Sequence, residues 1–194
     1  MSTLIETLEH DHRFINKVVA TMATLAEELR AENRVDPEML LDLVRFMRVF
    51  AEQCHHAKEE QHLFAALARK PLPDSWRMLD VIGKEHARMH ALTDELAHAV
   101  SAYVLDPNGG REPLISTLGS IVAFYPRHIW KEEYLVFPVA RQLLSAAEQE
   151  EIARGFCAVE SKIGLDVHRA FEALARFAED AVSRAEMADY FAIN

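Results

Sequence analysis

A short pattern of histidine, lysine, glutamate and phenylalanine occurs twice in this chain. The first copy spans residues 55–64 and the second spans residues 128–137, with His, Lys, Glu, Glu and Phe at matching offsets. In each copy the first histidine lies four residues before the first glutamate of the Glu-Glu pair. On a helix this spacing stacks the two side chains on one face, one turn apart. Imidazole and carboxylate donors paired in this way on two helices indicate a transition-metal site.

Apolar residues recur at three- and four-residue steps along four long segments, and no strand-like alternation appears. We expect these helices to begin near Thr3, Pro37, Asp74 or Ser75, and Pro113, where N-cap residues or prolines occur. The connections are short, which favours antiparallel neighbours. The sequence therefore predicts an all-α fold: an antiparallel up-down four-helix bundle with two additional C-terminal helices.

The C-terminal helices begin at a second helix-start signal. Ser145 and Glu148 form a capping box, which predicts a fifth helix to about Ile163. Gly164 then separates it from a sixth predicted helix over roughly residues 166–187, which carries His168. We therefore expect a metal-binding domain over residues 1–144 and a helical extension over residues 145–194 that packs on the same domain.

Histidines and glutamates occupy positions on the apolar faces of all four long helices. With helices of about 1.5 Å rise per residue, they fall at one depth of an antiparallel bundle. The inner face of the second helix is predicted from Leu41, Val44, Ala51, His55, Glu59 and His62, which leaves His56 exposed. Pro126 lies inside the fourth helix and is expected to bend it beside the site. The predicted site residues are His12, His55, Glu59, His86, His90, His128 and Glu132.

A single buried histidine is more often a hydrogen-bonded core residue than a metal ligand. A whole layer of imidazoles and carboxylates is harder to stabilise without a cation, since an unpaired buried carboxylate is costly. The metal interpretation is therefore favoured over that of a polar core. For Tyr125, one turn before His128, a core role is favoured over a hydrogen bond to a bound ligand.

The succession His12, His55-x-x-x-Glu59, His86-x-x-x-His90 and His128-x-x-x-Glu132 resembles the hemerythrin-like, or HHE cation-binding, family over roughly residues 3–142. The resemblance implies two iron ions in an oxo- or hydroxo-bridged di-iron centre. It also implies terminal histidine ligands and bridging roles for the two glutamates.

Two alternatives stay open within this ligand set. Some family members use the carboxylate at the position of Glu133, although the helical phase favours Glu132. Others keep one histidine on the third helix, so that His86 is the ligand and His90 supports it. His62, one turn beyond Glu59, is a candidate hydrogen-bond partner of a ligand.

The resemblance implies a carrier or sensor of O2 or a related small oxidant, with O2, NO or peroxide as the ligand. The alternative is a di-iron redox enzyme acting on NO or peroxide, or in iron-centre repair. Nitrogen-rich ligation suits iron better than magnesium or calcium, and zinc or manganese are the other candidate metals. A ferritin-like carboxylate site ranks below, because no Glu-x-x-His pair serves the inner faces.

Composition limits the partners and the compartment. The formal net charge is −10 and no basic cluster occurs, which disfavours nucleic-acid binding. No apolar run is long enough for a membrane span, and no signal peptide is evident. Cys54 and Cys157 form neither a metal motif nor a disulfide framework, so we expect a cytoplasmic protein. A homodimer through the C-terminal helices is one further expectation.

Overall fold

The computed structural model describes residues 4–73 and 76–164 of this protein, and all regular secondary structure within these ranges is helical. The prediction of an all-helical fold is thereby confirmed, and no strand occurs in either range. The elements are α1 (Leu4–Arg30), α2 (Pro37–Phe46), π1 (Met47–His56), π2 (Glu59–Phe64), α3 (Ala65–Leu67), α4 (Met78–Leu105), α5 (Arg111–Lys131), π3 (Glu132–Val136), α6 (Phe137–Leu143) and α7 (Ala146–Ile163).

Two of the predicted helix starts have the expected capping geometry. Asp36 caps α2 by accepting a hydrogen bond from the backbone N–H of Glu38, with Pro37 at the first helical position. At α7, the Ser145 and Glu148 side chains each accept from the backbone of the other residue, which completes the capping box. The predicted start at Thr3 and the predicted cap at Asp74 or Ser75 lie outside the described residues.

The second long helical region changes from α to π geometry before it reaches the site. A π-helix closes each turn with a bond between residues five apart, one residue more than in an α-helix. Extrapolating an α-helical period back from His55 therefore selects the wrong residues. The prediction that Leu41 faces inward is wrong, because it is 47% exposed, whereas Leu40 and Leu43 are buried. A shorter π segment, π3, interrupts the fourth region between α5 and α6.

The buried apolar residues form two clusters, with the polar layer between them. Along α1 the chain passes from Leu8 in one cluster, through His12, to Ile15 in the other. Along α4 it passes in the same way from Ile82 to Met89, on either side of the buried His86. In each helix the histidine therefore lies at the level where the two apolar clusters meet.

Helix α5 continues through Pro126, as the phase of its buried residues predicts. Helix α7 follows the bundle helices and adds Ile152 and Phe156 to the smaller apolar cluster. The sixth predicted helix, with His168, lies outside the described residues. Among the helices that are described, none combines the length and the apolar character that crossing a membrane requires.

Candidate metal centre

Five histidines and two glutamates lie in the polar layer. Their side chains form two adjoining groups whose donor atoms lie within 4.8 Å of one another: His56, His86 and His128 in one, and His12, His55, Glu59 and Glu132 in the other. All seven are buried. The structure therefore brings together six of the seven residues that the sequence predicts for this site.

The two glutamates lie between the groups. Glu132 is 3.2 Å from Nε2 of His12 through one oxygen, and through the other it is 3.3 Å from Nε2 of His86 and 3.0 Å from Nε2 of His128. Glu59 Oε2 lies 3.6 Å from Nε2 of both His55 and His86. Each carboxylate thus faces imidazoles of both groups, which is the position that a bridging ligand needs.

The structure does not bring His90 to the site. Its side chain is 50% exposed, and its Nδ1 lies 2.8 Å from Glu52 Oε2. The buried face of α4 at this level follows Ile82, His86, Met89 and Thr93, whose steps of four, three and four leave His90 at the edge.

His56 takes the place in the site that the sequence predicts for His90. The expectation that His56 is exposed is wrong, because it is 1% exposed and stacks on His86 with ring centroids 3.9 Å apart. The physical reason is π1, whose wider turns rotate successive side chains by less than the about 100° of an α-helix. Two adjacent histidines, His55 and His56, can then both face the bundle interior.

Four of the five histidines donate a hydrogen bond from Nδ1, the ring nitrogen that faces away from the centre of the site. Each acceptor is a carboxylate whose supporting role the sequence analysis missed. His12 Nδ1 donates to Glu133 at 2.9 Å and His86 Nδ1 to Glu60 at 2.6 Å. His55 Nδ1 donates to Asp11 at 3.3 Å and His128 Nδ1 to Glu85 at 3.1 Å. A carboxylate accepts, so each Nδ1 carries a proton, and in the neutral imidazole each Nε2 then presents its lone pair to the centre of the site. This arrangement is typical of histidines that bind metals.

The two glutamates of the second copy, which the sequence leaves as alternatives, lie in different environments. Glu132 is fully buried and faces three imidazoles, whereas Glu133 is partly exposed and holds Nδ1 of His12 from outside the site. His62 lies in neither group. Its ring packs near Phe156, with centroids 6.3 Å apart, and so faces α7.

The site has an approximate two-fold symmetry that follows the repeated sequence pattern. In each copy, the first histidine and the lysine both contact one acidic residue that precedes a histidine on another helix. These acidic residues are Asp11, before His12, and Glu85, before His86. The second glutamate of each copy bonds the histidine of the opposite acid–His pair, and the phenylalanine stacks on the same ring. The acid–His dipeptides on α1 and α4 are therefore the signal by which the missed residues could have been found.

Two features break this symmetry. The residue after the first histidine of each copy is His56 in one half and Ile129 in the other. Consequently one of the two groups has three imidazoles and the other has two. The second difference concerns the lysines: Lys58 is fully buried, whereas Lys131 is 29% exposed.

The electrostatics of the two central carboxylates favour bound cations. Burial raises the pKa of Glu59, and repulsion by Glu132 raises it further, to well above the usual value. Burial also opposes ionisation of Glu132, but His128, His12 and His86 overcome it and hold its pKa well below normal. Both oxygens of Glu59, one of Glu132 and Nε2 of His12 and His128 are buried without a hydrogen-bond partner. Such orphaned polar atoms, all directed at one point, fit a pair of bound cations.

The family model for the hemerythrin HHE cation-binding domain matches residues 3–140. The chain therefore belongs to the hemerythrin HHE family, a family of helical bundles that bind metal cations. It is also similar to uncharacterized proteins of Mycobacterium tuberculosis and Mycobacterium bovis, at 25% identity over 155 residues. The matched region covers 79% of this chain and 60% of each relative, so the chain spans less than two thirds of their length. No solved structure matches the chain significantly.

Proposed function

We propose that this chain is a non-haem di-iron protein that binds O2 or a related small oxidant, as a carrier or sensor. The observation that carries the proposal is the layer of five inward imidazoles and two shared carboxylates, all buried between two apolar clusters. The proposed ligands are His12, His55, His56, His86 and His128 as terminal donors, with Glu59 and Glu132 as bridges. His90 is not proposed as a ligand.

The two metal positions of this proposal differ in their protein donors. One is held by His56, His86 and His128, and the other by His12 and His55, with both carboxylates shared. Because the second position has one imidazole fewer, it is the one that we expect to accept an external ligand. Iron at this position supplies the capacity to bind a small oxidant, and the apolar surroundings limit access of water and protons to it.

The chemistry of the donors supports iron over magnesium or calcium, which prefer oxygen ligands. The pairs between Nδ1 and carboxylate on four histidines support the same conclusion. They hold the neutral imidazole in the tautomer that leaves Nε2 free to bind a transition metal, and they make Nε2 a better donor. Zinc and manganese would fit the same donors and are outcomes of the test below.

A redox enzyme acting on NO or peroxide, or in iron-centre repair, is the second candidate, and one residue favours it. The Tyr125 hydroxyl is buried beside the site, with the Thr93 side chain as its polar neighbour. Burial raises its pKa, and the charges of Glu52 and Glu132 raise it further, so the phenol keeps its proton near the site. A protonated phenol at this position is able to donate a hydrogen bond to a ligand or to take part in its reduction.

Three further expectations belong to this proposal. The long helical regions form an antiparallel up-down bundle, and the extension that begins at residue 145 belongs to the domain of residues 1–144; residues 165–194 of this extension lie outside the described residues. The protein is cytoplasmic, in keeping with the unpaired thiols of Cys54 and Cys157. A homodimer through the C-terminal helices is the expected assembly if one forms.

Metal analysis of protein purified without oxygen tests the proposal. Two irons per chain are expected, followed by an absorption band on addition of O2 that reverses under vacuum. Consumption of NO or peroxide with turnover would instead favour the enzyme. Two zinc or manganese ions per chain would keep the site and overturn the oxidant-binding function, and a chain that binds no metal would overturn both.

A further inference from the structure

Lys58 is enclosed by three helical regions, and its ammonium group joins two carboxylates. Its Nζ donates to Asp11 Oδ2 of α1 at 2.9 Å and to Glu160 Oε1 of α7 at 2.6 Å. It also lies 5.9 Å from the centre of the Phe156 ring, again on α7. Lysine is rarely buried completely unless it is paired, because desolvation of the ammonium group is costly. Helix α7 therefore both covers this lysine and supplies one of its two counter-charges.

The other carboxylate that Lys58 contacts, that of Asp11, connects it to the proposed metal position with two imidazoles. Asp11 accepts the Nδ1 proton of His55 through the same Oδ2 atom that contacts Lys58. The structure thus contains a continuous chain of polar contacts from Glu160 through Lys58 and Asp11 to His55.

The other half of the site has no such connection. Lys131 and His128 share Glu85 in the same way as Lys58 and His55 share Asp11. Within the described part of the chain, Lys131 forms its ion pair with Glu85 alone and is 29% exposed. The two halves are otherwise equivalent here, so the contact with α7 is an addition to one of them.

Helix α7 is held along its length against the same helical region. Near its start, Glu148 forms an ion pair with Lys70, with Nζ to carboxylate distances of 2.6 and 2.7 Å. In its middle, Gly155 lies so close to the ring of His62 that a Cβ would overlap it. Because α7 is fixed at these points, the carboxylate of Glu160 is delivered to Lys58 at a defined position.

We propose that α7 is a regulatory clamp on one half of the metal centre, in which Glu160 and Lys58 act as positioning residues for His55. This proposal rests on the proposed function, since it requires metal at the position that His12 and His55 hold. When Glu160 is in place, Lys58 fixes Asp11, and Asp11 orients the His55 ring and strengthens Nε2 as a donor. Movement of α7, for example when another protein binds to it, lowers the affinity for metal at this position. The three-histidine position does not respond.

The test is titration of the metal-free full-length protein with Co2+, followed by absorption and calorimetry. Glu160→Gln keeps the shape of the side chain and removes its charge. It should lower the affinity for one of the two Co2+ ions by about tenfold, which is the lower limit for loss of a group that supports a ligand. Lys131→Met should weaken the other ion. Glu151→Gln makes the same change of charge at an exposed residue of α7 that forms none of the contacts described above, and it should leave both affinities unchanged.

A second measurement does not depend on the metal. In metal-free protein, ¹⁵N NMR of the histidine side chains should show His55 protonated at Nδ1 in the wild type and a mixture of tautomers in Glu160→Gln. Lys58→Met should give the same change in the His55 tautomer if this variant folds. If it does not fold, the spectrum of Glu160→Gln alone tests whether α7 positions His55. Unchanged Co2+ affinities together with an unchanged His55 signal would overturn the clamp. Failure of the wild type to bind Co2+ would refute the proposed site, and the NMR result would then decide whether α7 positions His55.

Discussion

His56 offers the sharpest test of the ligand set, because its replacement should have opposite effects on the metal-free and metal-loaded protein. His56→Ile copies the residue at the equivalent place of the second half, Ile129. In metal-free protein, burial holds the pKa of His56 well below normal, so the ring is neutral, and its Nδ1 has no hydrogen-bond partner. Removal of an unsatisfied buried polar group should stabilise the fold by about 1 kcal/mol, at the lower limit of the penalty for such groups.

The loaded protein should lose stability, because the three-histidine position falls to two imidazoles. If the affinity drops by about 100-fold, stabilisation by metal at 100 times its original Kd falls from about 2.7 to about 0.4 kcal/mol. Together with the gain of about 1 kcal/mol in the fold, this leaves the loaded variant less stable than the loaded wild type by about 1.3 kcal/mol, which for a chain of this size lowers Tm by about 3–5 °C.

Calorimetric unfolding of metal-free and loaded protein measures both effects, and elemental analysis gives the number of ions bound. His90→Gln is the control, since glutamine is able to keep the contact of His90 with Glu52, and it should retain two ions. Retention of two ions with an unchanged Tm shift in His56→Ile would refute the assignment of His56. Loss of an ion in His90→Gln would show that the sequence-based choice was right.

Three further predictions compare pairs of variants or pairs of conditions. Glu132→Gln should abolish binding of both ions in elemental analysis. Glu133→Gln should still bind both ions, and only the ion at the position of His12 and His55 should bind about tenfold more weakly, because this residue only supports His12; equal losses would contradict these roles. Gly110→Ala should reduce the free energy of unfolding in urea by about 1–3 kcal/mol, since its Cβ would overlap the backbone of α4. Gly119→Ala, which has open space around it inside α5, should increase the same free energy by up to about 1 kcal/mol, and the reverse order would refute the packing argument. The pKa of Glu148 is lowered to about 2, chiefly by its lysine partner, so its contribution to stability is complete above its unfolded pKa and is lost as the pH falls towards 2. Urea unfolding should accordingly show a larger difference between wild type and Glu148→Gln at pH 6 than at pH 3, and a constant difference would argue against this ion pair.

The sequence predicts most of the fold and most of the site because both depend on helical periodicity. His12, His55, Glu59, His86, His128 and Glu132 all follow from α-helical spacing and from their common depth in the bundle. The error at His56 arises where that spacing changes, whereas His90 lies in a regular α-helix at the edge of its buried face. Sequence patterns at 3.6 residues per turn do not reveal a π segment, because its cost is offset by tertiary contacts rather than by local propensity.

The supporting carboxylates were missed for a different reason. Asp11, Glu60, Glu85 and Glu133 lie beside ligand residues in the sequence and at the edge of the buried faces, where charged residues usually face water. Their contacts are between helices, so their partners follow only from how the helices are placed around the site. The repeated pattern is related to these contacts, but the relation can be recognised only from the symmetry of the folded site.

The approximate two-fold symmetry of the site has a consequence for how such a protein can change over time. Two copies of a single helical hairpin, each with an acid–His pair and one copy of the repeated pattern, would supply every symmetric contact of this centre. In such a pair of identical chains, each substitution would alter both metal positions together. Joining the halves in one chain allows one position to acquire a third imidazole through His56 while the other acquires the contact with α7 through Lys58. The two ions of the proposed centre would thereby serve different purposes, one bound with constant affinity and the other with an affinity that depends on α7.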